Sequence, residues 1–228
     1  MWTVLKKELK NYFLSPIGYV VIGIFLLCFS VFFYITVIRY LSVDLGGLYY
    51  NTAVFGLLII VPLLTMRMFS EERKNGTEQL LLTVPTGMFS IVMGKFLAAL
   101  AVILITLILS LMFFGIVSYF GEPSLGVTLA QMLGFLLVAM AAISCGMFAS
   151  SLTENQIISG ILSIAFLVIS LFAGNVSASL SSLSLVDTYF INFAYGVISL
   201  ENIISLLLFT FVFISLTIIV MKRRKLVK

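Results

Sequence analysis

Residues 96–118 read FLAALAVILITLILSLMFFGIVS, 23 consecutive positions without a charged side chain. As a helix rising about 1.5 Å per residue, such a run is long enough to cross a hydrocarbon core of about 30 Å. It begins at Phe89 or Phe96 and stops before the turn Gly121-Glu122-Pro123. Five more apolar stretches flank it, at about 16–38, 48–66, 128–150, 157–174 and 203–221. With 62% hydrophobic and 10% charged residues, a water-soluble fold could not hide this much apolar surface. The pattern predicts an all-α membrane protein with six transmembrane helices, residues 1–228 forming one transmembrane domain.

The basic residues orient the spans. Lys6, Lys7, Lys10, Arg67, Arg73, Lys74, Lys95, Lys222, Arg223, Arg224, Lys225 and Lys228 fall on one face and only Arg39 on the other. Both termini are therefore expected in the cytoplasm. A basic charge spread along one membrane face, with no soluble domain, argues against nucleic acid as a partner. The first apolar run is too long for the core of a cleaved leader, and no small-residue cleavage site follows it. It reads as a retained signal anchor with Ser15 as N-cap and Pro16 at the first helical position. Cys28 and Cys145 lie inside spans in no metal or redox spacing, which points to packing roles.

Three segments lie outside the spans. In residues 1–15, Trp2, Leu5, Leu9, Tyr12 and Phe13 recur at helical spacing, with Lys6, Lys7 and Lys10 largely opposite, which predicts a helix lying on the bilayer surface. Residues 67–88 form the largest cytoplasmic segment, a charged helical stretch followed by Leu80-Leu81-Leu82 and Pro85. Residues 175–202 form an external loop, Ser-rich at first and then aromatic. Tyr189, Phe190, Phe193 and Tyr195 suit the headgroup level, and the loop reads either as short re-entrant helices or, over 176–184, as a flexible linker. Within the spans, Pro62 removes a hydrogen bond to the Leu58 carbonyl and should bend the helix. Ala142, Gly146 and Ser150, with Ala141, Cys145 and Ala149 beside them, form a small-residue stripe that admits a close neighbour.

Several chemistries lack residues. There is no histidine, and no acidic residue lies near the middle of a predicted span, so intramembrane proteolysis has no candidates. No clustered ligands suggest a metal, and Gly87 to Gly94-Lys95 has the wrong spacing for a phosphate-binding loop. The lack of ionisable groups at mid-span disfavours gradient-driven transport. An apolar, Phe-rich interior suits lipid-like, peptide or drug-like cargo better than ions.

The strings Thr65-Met66-Arg67, Phe69-Ser70-Glu71-Glu72-Arg73, Gly76-Thr77 and Leu80-Leu81-Leu82-Thr83-Val84-Pro85 resemble the signature of ABC-2 type permeases. Lys7-Glu8-Leu9, Phe13, Ser15-Pro16 and Ile17-Gly18-Tyr19 resemble the start of the permeases from gliding-motility and nitrous-oxide-reductase maturation systems. Gly94-Lys95-Phe96 and Leu152-Thr153-Glu154-Asn155-Gln156 extend the likeness. The resemblance implies an exporter subunit of a bacterial cytoplasmic (inner) membrane, paired with a second copy or a related permease, with room for an auxiliary membrane protein. A separate cytoplasmic ABC ATPase would bind ATP and magnesium, leaving this chain without a cofactor or an ATPase site of its own. It further implies that Glu71, Glu72, Arg73, Gly76, Thr77 and Glu78 form a coupling helix seated on that ATPase, with Glu154 and Asn155 as a smaller second contact. The second and fifth spans would line the path. The competing readings are a membrane anchor or sensor for a cytoplasmic partner, and a gradient-driven transporter.

Overall fold

The computed structural model describes residues 1–77, 87–173 and 184–227, without the side chains of 188–191 and 225–227. Glu78, the rest of 78–86 and the Ser-rich start of the outer loop lie outside the described residues. Within them every element is helical, and no strand occurs. In chain order these are α1 (Trp2–Leu14), α2 (Pro16–Phe33), α3 (Gly46–Asn51), α4 (Leu57–Thr65), α5 (Ser70–Lys74), α6 (Met88–Phe120), α7 (Leu125–Leu152), α8 (Gln156–Leu171), α9 (Leu185–Asn192) and α10 (Leu200–Val227).

Five helical stretches are long and apolar enough to cross a membrane: Pro16–Ile38, Gly46–Lys74, Met88–Phe120, Leu125–Leu152 and Leu200–Arg224. The sixth apolar stretch is also a helix, α8, but its 16 residues cover only about 24 Å. The expected continuation to Gly174 passes into residues outside the description. The protein is thus an all-α membrane protein, with five span-length helices and one shorter apolar helix among the described residues.

α7 is the central helix. In its most apolar eighteen-residue window 78% of residues are buried, against 28% in α2 and 22% in α10, which present their apolar side chains outward. The stripe of small residues explains why α7 can take that place: Ala141, Ala142, Cys145, Gly146, Ala149 and Ser150 are all buried. A Cβ on Gly146 would collide with Thr65 of α4 and stand 2.9 Å from the Ser163 hydroxyl of α8. Three backbones meet there because nothing larger than hydrogen projects from position 146.

Phenylalanine builds much of the bundle's interior. Phe25, Phe29 and Phe135 are fully buried, and the Phe29 ring packs against Phe25, Tyr49, Phe113 and Phe135 at centroid distances of 5.4 to 6.1 Å. The Tyr49 hydroxyl finds the Ser110 hydroxyl at 3.2 Å, so its polar tip is satisfied inside the aromatic cluster.

Two spans contain π-helical turns, Tyr34–Ile38 and Thr52–Gly56. Each contains a threonine that donates to the carbonyl four residues back, Thr36 to Phe32 at 2.7 Å and Thr52 to Leu48 at 2.8 Å. Such back-bonding competes with the regular ladder and favours a wider turn. The second span is irregular on both sides of Pro62: this turn precedes α4, and the turn at 66–69 separates α4 from α5.

In the 175–202 loop α9 is followed by a 3-10 turn, Phe193–Tyr195. Tyr195 is exposed, as a headgroup-level residue would be, but Phe193 is fully buried. It packs against α7 at Gly134, where a Cβ would stand 2.5 Å from the Phe193 Cβ and Cγ atoms. Aromatic composition alone could not tell a surface ring from one seated on a glycine.

Candidate functional site

The charged end of the bundle is built around one ammonium group. Lys95, on the first turns of α6, is 2% exposed, and its Nζ donates to Glu8 Oε1 at 3.1 Å, Glu72 Oε1 at 2.8 Å and the Met68 carbonyl at 2.8 Å. A lysine has three N–H donors, and all three are used. The Phe69 ring closes a fourth side, its centroid 5.4 Å from Nζ. Lys95 therefore joins α1 through Glu8, α5 through Glu72, and the turn leading from α4. α1 can come this close because position 94 is glycine: a Cβ there would stand 2.9 Å from Val4.

The same end shows where the second span's terminal carbonyls find donors. A helix C-terminus leaves its last carbonyls without helical partners. Here the Tyr12 hydroxyl donates to Leu64 O at 3.3 Å, the Ser150 and Ser70 hydroxyls donate to Met66 O, and Lys95 donates to Met68 O. Ser150 Oγ in turn accepts the backbone N–H groups of Phe69 and Ser70 at 3.1 and 3.3 Å. Side chains from α1, α6 and α7 thus pin the joint between α4 and α5. Burial, reinforced by the Glu8 carboxylate, raises the Tyr12 phenol above its ordinary range, so its hydroxyl keeps the proton that it donates.

The residues implied by the resemblance take different roles. Glu72 turns onto Lys95. Arg73 reaches across to Glu154, with Nη2 2.6 Å from Oε1, and so joins α5 to the connection between α7 and α8. Asn155 caps α8, accepting the Ile157 N–H at 2.9 Å. Gly76 ends α5 at φ +71, where a Cβ would meet nothing within 4 Å, so the requirement for glycine is conformational. Thr77 donates to the Glu72 carbonyl at 3.1 Å. Glu71 and Lys74 take part in none of the ion pairs among the described residues, and Glu78 lies outside them. Between α1 and α5 runs a cleft of about 830 Å³, lined by Lys7, Asn11, Arg67 and Glu71 with Lys95 at its base.

Sequence reasoning gave Lys95 an orientation role and a place in the Gly94-Lys95-Phe96 string, and Glu8 a place in a motif, without joining the two. The available signal was a lysine inside an otherwise apolar helix, next to a glycine. Its depth is modest: α6 has 33 residues, about 50 Å, and Lys95 stands about 10 Å from its start, within the length by which the helix exceeds a hydrocarbon core. It does not supply the mid-span charge that a gradient-driven carrier would need.

The Arg73–Glu154 bridge, with side chains 28% and 60% exposed, fixes geometry more than stability. A double-mutant cycle of Arg73→Ala and Glu154→Ala in the full chain should give a coupling of about 0.2–1 kcal/mol. A larger value would mean that the pair is shielded from water.

A family model described as ABC-2 type transporter matches residues 1–203, which takes in α1, the Lys95 cluster, α5 and the Glu154 connection. No curated protein matches the chain. With most of its length matched, and with several helices long and apolar enough to cross a membrane, the chain belongs to the ABC-2 type transporter family, as a transmembrane permease component.

Proposed function

We propose that the chain is the path-forming subunit of an ATP-driven exporter, working as a dimer or with a related permease, and that α5 and the Thr153–Glu154–Asn155 connection together receive a separate cytoplasmic ATPase. One observation carries this reading. The two segments implied as ATPase contacts, 81 positions apart from Arg73 to Glu154, are joined at 2.6 Å into a single patch. Lys95 ties that patch to α1 and α6. A force on α5 therefore acts on α1, on the start of α6 and on the connection between α7 and α8, as rigid-body rocking between two access states needs.

The geometry also selects the variants that test docking. Reversing Glu72 or Arg73 would damage contacts within the permease and mimic loss of a partner. Glu71 and Lys74 have no such internal pair among the described residues, so Glu71→Lys with Lys74→Glu should leave the permease folded and its net charge unchanged. Co-expressed with its partner ATPase, this variant should lose most of the co-purifying ATPase, because misplacing charge in a desolvated interface costs about 2–5 kcal/mol. Undiminished recovery of ATPase, with normal permease expression, would place the docking surface elsewhere.

A further inference from the structure

We propose that the outer face of α1 recognises anionic phospholipid headgroups. The helix has three sides. Val4, Glu8 and Tyr12 face the bundle, and Lys7 and Asn11 line the cleft. The remaining side carries Trp2, Leu9 and Phe13 with Lys6 and Lys10 along its edge, since positions three and four apart share a helix face. Trp2 is 72% exposed, and both lysines are exposed. Glu8 is the only acidic residue of α1, and its carboxylate is taken inward by Lys95. Lys6 and Lys10 join none of the ion pairs among the described residues, so this face is cationic without internal compensation.

The occupant is a bilayer surface because the face continues into one. The Phe13 ring meets Tyr19 of α2 edge-on at 6.1 Å, and Tyr19 and Val20, 62% and 55% exposed, begin the outward apolar side of that span. A tryptophan beside lysines at the foot of a spanning helix fits the headgroup boundary, with the rings in the apolar layer and the ammonium groups among phosphates. Lipids with a net negative headgroup satisfy those ammonium groups better than zwitterionic ones. This inference does not depend on the ATPase reading.

Trp2 is the only tryptophan of the chain, so its fluorescence reports α1 alone. The full chain would be placed in nanodiscs of phosphatidylcholine and phosphatidylglycerol in equal amounts, with brominated acyl chains on one lipid or the other. Brominated phosphatidylglycerol should quench Trp2 more strongly, with an enrichment of about fivefold, the equivalent of about 1 kcal/mol for one lysine at an anionic surface. The preference should fall toward one in Lys6→Gln with Lys10→Gln and in high salt. Equal quenching by both lipids would overturn the proposal. So would absence of quenching by either, combined with protection from an aqueous quencher on adding the ATPase, which would show that a protein covers the face.

Discussion

Replacing Lys95 with methionine should destabilise the permease by about 3–5 kcal/mol, the usual cost of stripping one partner from a buried ion pair. Two carboxylates, Glu8 and Glu72, would face each other where a 2%-exposed ammonium stood in the parent, and the Met68 carbonyl would lose its donor. The first consequence should be release of α1, readable as faster proteolysis near residue 10 in nanodiscs, followed by a lower denaturation midpoint. Arginine should rescue only in part, because its planar fork cannot serve three acceptors arranged around a compact ammonium group. The combination Glu8→Leu, Glu72→Leu and Lys95→Met separates stability from coupling. Removing all the charges together leaves none uncompensated and should restore most of the stability. If the cluster transmits motion from α5, the triple variant should still bind the ATPase but fail to transport. A Lys95→Met protein that denatures like the parent would show that water reaches the site and that the cluster is a weak surface network.

The sequence exposed the spans because crossing hydrocarbon forces a long uncharged helix, and that constraint is written in composition. Leu97 to Val117 could not be mistaken for anything else. Which helix sits at the centre was partly legible, since Ala142, Gly146 and Ser150 recur at the spacing that lets backbones touch. What could not be read was partnership between distant residues. Glu8, Glu72 and Lys95 are 87 and 23 positions apart in their two pairings, and each alone looks like an ordinary interfacial charge. The π-helical turns were hidden for a related reason: a threonine hydroxyl bonding back to the ladder alters the turn but not the hydropathy. Phe193 was misplaced because its environment is set by the absence of a side chain at Gly134, far away in sequence.

That glycine supplies the other large effect, at the opposite end of the bundle. Leucine at position 134 should cost about 1–3 kcal/mol through overpacking alone. Its Cβ would begin 2.5 Å from the Cβ and Cγ of Phe193, a side chain fully enclosed by its surroundings. Retreat is restricted on both flanks of that ring. One turn earlier on α7, Gln131 Nε2 donates to Ala194 O at 3.0 Å and to Asp44 Oδ1 at 3.1 Å, and Asp44 Oδ1 also accepts the Gly46 N–H at 2.9 Å. Beyond Tyr195, Gly196 turns the chain at φ +78 against Val127. Ejecting Phe193 would therefore strain the link through which α7 holds both the Asp44 loop and the 193–196 turn. Phe193→Ala should be costly for the opposite reason, about 3–5 kcal/mol for the cavity it leaves. Together the two changes should be less harmful than their sum, because the leucine enters the space that the ring vacates. A strictly additive double variant, measured by denaturation of the full chain, would show that Phe193 does not rest on Gly134 in the membrane. Non-additivity would show that Phe193 and Gly134 are coupled, and with Gln131 holding Ala194 beside them, opening this end requires Phe193 to leave Gly134 and Ala194 to leave Gln131 together.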